Sequence, residues 1–366
     1  MESRIEDGQP DPLHIFSEFE DPTRHSLIQQ IVQDDPGLAM IPQQNLYALW
    51  FSDISTLQEK ANAQTKVAKK LRARDLRVLS NQYDVVGIWA CEGQTTAASR
   101  EEPQGSAPRL GLSERGRSSS PNTGSSSKPS TPEHENTVDL PSESANRDGY
   151  HCVVTKRGLP LIESAHIIPK KLNGARSLYL TQYECWAWLS AFWGDEKVDR
   201  LQSLLVSEGI MDTERLYNQI TLDIQVQKYW DRAMCALRPI WVSEDQTEMQ
   251  IAFHWLPLKE SLPGLENTYR GEMVSVMENP YQDPKYRPRE TPGNNNFIFH
   301  IETGVRIPSG YVFTVKTDNK YERPLPSMEL LELRWHLARI ACMRGRDEDG
   351  DGAYESDGGF SVRSGS

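Results

Sequence analysis

The chain has 366 residues, of which 37% are hydrophobic and 25% are charged, enough to bury one sizeable core and a second, smaller body. Its formal net charge of −12 excludes binding of nucleic acid by overall attraction and restricts such binding to local basic clusters. The five cysteines form no CxxC pair, which argues against a disulfide framework and a thiolate zinc site. No stretch approaches the roughly 20 apolar residues that span a bilayer, so we expect no membrane association and an intracellular protein, in the cytoplasm or the nucleus.

Residues 1–91 are predicted to form an N-terminal helical region. Apolar residues recur there at three- and four-residue intervals, namely Leu46, Leu49, Trp50, Ile54 and Leu57. Basic residues crowd the stretch from Lys66 to Arg77, which is typical of a basic amphipathic helix or of an ordinary solvated face. These helices are the candidate surface for a protein partner.

Two segments have compositions that cannot bury a core. Residues 92–146 are dominated by Ser, Gly, Pro and Thr, and we predict a disordered linker there. Residues 346–366 are acidic and rich in glycine, which predicts a disordered tail.

The central region, residues 147–257, begins with two short apolar runs, CVVT and LIESAHII, around a KRGLP turn. This pattern predicts a β-hairpin that ends near His166. Two helices are expected next, one with aromatic residues around Trp186 and one around Leu201. A turn and short strand at 218–222 then lead into a helix for which Asp223 is the expected N-cap.

The C-terminal part, residues 258–345, contains two β-rich runs around an Ile-Pro-Ser-Gly turn and then a helix with Ser327 as its expected N-cap. We expect these elements to pack on the central region as an extension. Together with the helices before them, they indicate an α+β fold.

The order of several short motifs resembles the HNH nuclease-domain proteins that are abundant in filamentous fungi. The matching residues are Arg147, Asp148, Cys152, Thr155, the run AHIIP at 165–169, Asn218, Ile220, Leu222, Trp230 and ALRPI at 236–240. The runs FIFHIETGVRIPSGYVFTV and RPLPSMELLELRW also look like the C-terminal extension of that family. The resemblance implies an α+β fold with a ββα-metal core enlarged by helices between His166 and Asn218, an N-terminal helical region, and a C-terminal β-hairpin plus helix.

The resemblance also implies a chemistry, metal-dependent hydrolysis of DNA phosphodiester bonds. Such a reaction needs a base that deprotonates water and a cation, here Mg²⁺ or Mn²⁺, that neutralises charge on the phosphate. His166 matches the base, and Asn218 matches the residue that orients the base or contributes to the metal environment. Gln227 stands where the family has a metal-binding His, and an amide oxygen lacks both carboxylate charge and imidazole affinity.

Other residues have both a functional and a structural interpretation. Asp223 and Glu163 are candidate metal ligands that would compensate for Gln227, or else a helix cap and a surface strand residue. Four basic residues are candidate contacts to nucleic-acid phosphates, or else ordinary surface residues: Lys156, Arg157, Lys170 and Lys171. Lys156 also departs from the family, which usually has Gly at this position.

Three hypotheses for function follow. The first is an HNH-type endonuclease with a degenerate metal site. The second is a catalytically inactive HNH-fold protein that binds nucleic acid or another protein, which the replacement by Gln227 and the acidic net charge favour. The third is a scaffold in which the N-terminal helices bind a protein partner.

Overall fold

The computed structural model describes residues 15–77, 85–90, 142–182, 184–256, 273–277 and 297–344. These residues belong to one compact unit. The predicted linker up to residue 141 and the predicted acidic tail lie outside the described residues.

The N-terminal part is helical, as the sequence predicts. Its elements are α1 (Pro22–Asp34), β1 (Met40–Pro42), α2 (Gln43–Phe51), α3 (Ile54–Ala61), α4 (Lys66–Arg77) and α5 (Val85–Ala90). In the basic helix α4 the buried face carries Arg72 and Leu76, whereas Val67 and Leu71 are exposed. The Arg72 guanidinium is buried because it donates to the Lys60 carbonyl at 3.0 Å and to the Asp34 carboxylate at 2.7 Å.

The central part begins before the expected boundary at residue 147, because Ser142 caps a short helix there. Its elements are α6 (Glu143–Arg147), β2 (Ile162–His166), α7 (Ser177–Gln182), α8 (Cys185–Trp193), α9 (Asp195–Leu205), β3 (Val206–Ser207), β4 (Ile210–Met211), β5 (Gln219–Asp223) and α10 (Ile224–Asp231). The two helices expected after His166 and the strand–helix step at Asp223 are therefore confirmed.

The expected pairing of CVVT with LIESAHII is wrong. The strand β2 instead pairs antiparallel with β5, which follows it by more than fifty residues. The CVVT run turns back too tightly to form a ladder, because Cys152 donates to the Arg157 carbonyl and Lys156 donates to the Cys152 carbonyl. Pro160, directly before the second run, also has no N–H to donate to such a ladder.

The C-terminal part completes the sheet that closes the core. Its elements are β6 (Cys235–Val242), β7 (Glu248–Trp255), β8 (Met273–Ser275), β9 (Tyr311–Lys316) and α11 (Met328–Arg344). The strands β6, β7 and β9 form one antiparallel sheet in that order, and β8 pairs with β1. The expected C-terminal hairpin is therefore wrong, since β9 takes β7 as its partner and residues 297–306 contribute only the isolated bridge Phe299–Arg306.

The helix α11 joins the N-terminal and C-terminal parts. Its N-cap is Ser327, as expected, whose hydroxyl accepts from the Leu330 N–H at 3.3 Å. The helix packs against α2, α5 and β6. Four tryptophans are fully buried in the common core: Trp50, Trp89, Trp188 and Trp230.

The N-terminal helices contact the rest of the same chain. The Trp188 indole in α8 donates to Asn45 of α2 at 2.8 Å, and the Trp193 indole donates to the Phe51 carbonyl at 3.2 Å. The fold is therefore α+β, a mixture of helices and small antiparallel sheets. Within the described ranges, none of the helices is long and apolar enough to cross a membrane.

Candidate active site

The strands β2 and β5 and the helix α10 form a ββα unit in the middle of the chain. Ile162 lies opposite Asp223 at one end of the strand pair, and His166 lies opposite Gln219 at the other. The helix α10 follows β5 without a loop and packs against both strands. The two ends of the strand pair are called the His166 end and the Asp223 end below.

Asn218 fixes the backbone at the His166 end. Its side chain is fully buried, and its Oδ1 accepts from the Ile168 N–H at 2.8 Å. Its Nδ2 donates to the carbonyls of Ile168, at 3.0 Å, and Thr213, at 2.8 Å. All three hydrogen bonds go to backbone groups, so Asn218 orients His166 through the chain that follows it and not by touching the ring.

His166 is paired with a carboxylate that the sequence did not indicate. Its Nε2 lies 3.2 Å from Oε2 of Glu214, and the Lys170 ammonium lies 3.3 Å from the other carboxylate oxygen. Partial burial raises the pKa of Glu214, but the hydrogen bonds and charges of His166 and Lys170 outweigh it, so this pKa lies below its ordinary value. The carboxylate is therefore ionised beside the imidazole at neutral pH.

The Asp223 end holds different residues and a different kind of pairing. The Asp223 carboxylate accepts from the Gln225 N–H at 2.8 Å and lies 2.9 Å from the Arg157 guanidinium. Asp223 is therefore the helix cap that the sequence predicts. Four residue steps along the strand, about 13 Å, separate it from the His166 end. Glu163 lies one residue from this end and is exposed.

The four basic candidates do not line one path. Lys170 lies at the His166 end, and Lys171 donates to the Gly87 carbonyl at 3.1 Å. Arg157 is occupied by Asp223, and the half-buried Lys156 lies in the turn beside it. The φ angle of Lys156 is +61°, in the left-handed region that favours glycine. Lys156 therefore holds a backbone conformation that glycine adopts more readily.

Gln227 lies one helical turn into α10, on the helix that packs against the strand pair. Its Oε1 is buried and has no hydrogen-bond partner among the described residues. A buried amide oxygen without a partner costs free energy, and natural proteins keep few of them. Among the described residues of this helix, Gln227 Oε1 and the Trp230 indole N–H are the buried side-chain polar atoms that have no hydrogen-bond partner.

The available donors do not fit a resident divalent cation. In the parts of the chain that the structure describes, no three His, Cys, Asp or Glu side chains converge. The nearby carboxylates already have cationic partners, Asp223 with Arg157 and Glu214 with Lys170. Gln227 supplies one neutral oxygen, whereas Mg²⁺ sites use one or two carboxylates. Asp223 is bonded to Arg157 and to the first turn of α10, and the ligand set of Gln227, Asp223 and Glu163 stays a prediction.

A buried ion pair is hydrogen-bonded to the backbone of the strand β5. Arg147 and Asp148 have fully buried side chains and are joined at 2.7 and 2.9 Å. Arg147 donates to the carbonyls of Gln219 and Pro324, at 2.9 and 3.0 Å, and Asp148 accepts from the Thr221 N–H at 2.9 Å. This pair ties the helix α6, the strand β5 and the segment before α11 together.

Nothing in the sequence pattern indicates Glu214. It lies in the segment between β4 and β5, 48 residues after His166, and its N–H donates to the Asp212 carboxylate at 3.3 Å. Only the pairing of β2 with β5 brings the two side chains together. Cys152, by contrast, lies where expected, since it is fully buried and burial raises the pKa of its thiol.

Comparison with known proteins adds no relative. No protein-family model matches the chain, and the searches of curated proteins and of solved structures give no match either.

Proposed function

We propose that the ββα unit is an HNH-type endonuclease site that hydrolyses phosphodiester bonds of DNA with His166 as the general base. The observation that carries the proposal is the arrangement of two antiparallel strands and a helix, with His166 and Asn218 at the same end of the strand pair. This is the arrangement that the resemblance to fungal HNH proteins implies.

The proton transfer follows from the state of the His166 ring. When Nε2–H donates to Glu214, the lone pair of the neutral imidazole lies on Nδ1. A water molecule beside Nδ1 can then transfer a proton to Nδ1 as its oxygen attacks the phosphorus and the P–O bond to the leaving sugar oxygen breaks. A base in this position contributes about 10²- to 10⁴-fold to the rate.

The weakness of the metal site limits this activity. A divalent cation would meet one neutral protein oxygen, that of Gln227, so we expect hydrolysis by the wild-type chain to be slow and to need millimolar Mg²⁺ or Mn²⁺.

The test is nicking of supercoiled plasmid by the purified full chain, with Mg²⁺, Mn²⁺ or chelator. His166→Ala is expected to abolish nicking. The matched control is His151→Ala, since His151 is exposed and bonds only to the Gly149 carbonyl at 2.6 Å. Nicking by His166→Ala at the wild-type rate would overturn the proposal.

A second candidate function is a catalytically inactive HNH-fold protein that binds nucleic acid or another protein. It is favoured by Gln227 in place of a metal-binding His and by the pairing of the nearby carboxylates with cations. For this function we expect DNA binding, measured by fluorescence anisotropy, and no nicking with either Mg²⁺ or Mn²⁺. If Lys170 contacts a phosphate, Lys170→Ala reduces the salt dependence of that binding by about one charge.

A further inference from the structure

Glu214 is fixed at the His166 end by its own backbone. Its N–H donates to the Asp212 carboxylate at 3.3 Å, and its carbonyl accepts from the Gln219 side chain at 3.1 Å. Gln219 lies opposite His166 in the strand pair. Glu214 lies in the segment between β4 and β5, and these two hydrogen bonds hold that segment beside the strand β5.

The carboxylate of Glu214 is also held from both sides. Its Oε2 faces His166 Nε2 at 3.2 Å, and its Oε1 faces the Lys170 ammonium at 3.3 Å. The side chains of Glu214 and Lys170 are 39% and 62% exposed, whereas that of His166 is 10% exposed. Lys170 thus compensates the charge of one carboxylate oxygen from the solvent side. The other carboxylate oxygen faces His166 Nε2 on the more buried side.

This geometry selects one tautomer of His166. A neutral imidazole has one N–H and one lone pair, and the hydrogen bond that one nitrogen makes decides which nitrogen keeps the lone pair. Within the described residues, Nδ1 of His166 makes no hydrogen bond, while Nε2 faces an acceptor that cannot donate when ionised. The lone pair is therefore kept on Nδ1.

We infer that Glu214 is a positioning residue for His166, which holds the ring in the Nε2–H tautomer and leaves Nδ1 as the basic nitrogen. The inference deepens the proposed function and rests on it for its consequence in catalysis. The orientation of the ring, however, is a property of the protein without substrate, so it can be measured whether or not the chain cleaves DNA.

The first experiment measures the tautomer directly. The full chain is labelled with ¹⁵N-histidine, and long-range ¹H–¹⁵N spectra are recorded at a pH where the imidazole is neutral, with His166→Ala to assign the signals. Wild type is expected to show a single Nε2–H ring. Glu214→Ala is expected to populate both tautomers, and Glu214→Gln, whose amide oxygen still accepts, to keep the wild-type pattern. An unchanged spectrum in Glu214→Ala would overturn the inference.

The second experiment measures nicking. Glu214→Ala is expected to lower kcat by roughly 10- to 100-fold with KM unchanged, as for other carboxylates that orient a catalytic or metal-bound imidazole. Glu214→Gln is expected to recover most of that loss. The matched control is Glu196→Ala, since Glu196 is 93% exposed on α9 and pairs only with Arg200. Thermal unfolding of each variant shows whether a loss of rate reflects a loss of folded protein.

The two experiments separate the inference from the proposed function. If no variant and no wild-type sample nicks DNA while Glu214→Ala changes the tautomer, the positioning role stands and the hydrolytic function fails. If wild type and Glu214→Ala nick at the same rate with the same tautomer, the function stands and the positioning role fails.

Discussion

Two charge pairs beside the strand β5 have opposite surroundings. Arg147 and Asp148 are fully buried, and both are also bonded to backbone groups of neighbouring elements. His166 and Glu214 lie at the rim, where the carboxylate is 39% exposed and the imidazole has one nitrogen without a partner among the described residues. The first pair therefore has no hydrogen-bonding capacity left for a substrate. The second pair still has such capacity, at the Nδ1 atom of His166.

The difference shows that pairing alone does not identify a site. Each pair joins a cationic or basic side chain to a carboxylate within 3.2 Å. What separates them is the number of further partners and the access of solvent, both of which depend on where β5 runs. We therefore assign Arg147 and Asp148 to the stability of the fold, whereas His166 and Glu214 are the pair that the proposed function uses.

The largest effect is expected at the buried pair. Asp148→Ala leaves the Arg147 guanidinium buried without its counter-charge, which costs about 3–5 kcal/mol of unfolding free energy. Urea denaturation measures the loss. The control is Glu248→Ala, which removes an exposed partner of Lys316 and is expected to leave the stability nearly unchanged. Equal effects of the two substitutions would remove the distinction between buried and exposed pairs.

Asn218→Ala tests the polar group that connects the fold to the site. The substitution leaves buried backbone groups of Ile168 and Thr213 without partners, at about 3 kcal/mol in total. The exposed Asn173, which accepts from the Thr213 N–H at 3.2 Å, provides the control Asn173→Ala with a smaller expected loss. Unfolding free energies compare the two, and nicking should fall with Asn218→Ala alone.

A further largely buried pair extends the comparison to the N-terminal part. Burial raises the pKa of Glu18, but the Arg339 guanidinium at 2.8 Å outweighs it and holds this pKa at about 2, below the ordinary 4.5. Because the folded-state pKa is depressed, the pair stabilises fully above the ordinary pKa and loses this effect as the pH falls through about 2.

Glu18→Gln is therefore expected to flatten the acid side of the stability curve. Wild type should lose about 3 kcal/mol between pH 5 and pH 2 through this carboxyl, and the variant should not. Urea denaturation at a series of pH values measures both curves. Parallel curves over that window would show that the ionised Glu18 carboxylate does not stabilise the fold through Arg339.

The smallest effect is expected at the Asp223 end. Asp223→Ala removes the helix cap and the partner of Arg157, for about 1–2 kcal/mol of unfolding free energy, while Asp223→Asn keeps the cap and should cost less. Neither variant is expected to change the Mg²⁺ or Mn²⁺ concentration that supports half-maximal nicking. A shift of that concentration would make Asp223 a metal ligand after all.

The parts of this fold that follow from neighbouring residues were predictable. Asp223 and Ser327 cap the helices that begin beside them, because a cap needs only a side-chain oxygen and the next few N–H groups. Strand partners were not predictable, since β2 takes a strand beyond two helices and β9 takes β7. Glu214 was missed for the same reason, because its relation to His166 exists only in the pairing of β2 with β5.

The most direct test of the HNH-type site is to restore the side chain that the helix lacks. Gln227→His places an imidazole where the buried amide oxygen has no partner, and Gln225→His places one on the same helix at an exposed position already bonded to Tyr229. We expect Gln227→His to raise metal-dependent plasmid nicking roughly 10- to 100-fold. Chelator should abolish this gain, and Gln225→His should show no gain. Equal nicking by Gln227→His, Gln225→His and wild type would contradict the assignment of this helix to a nuclease site.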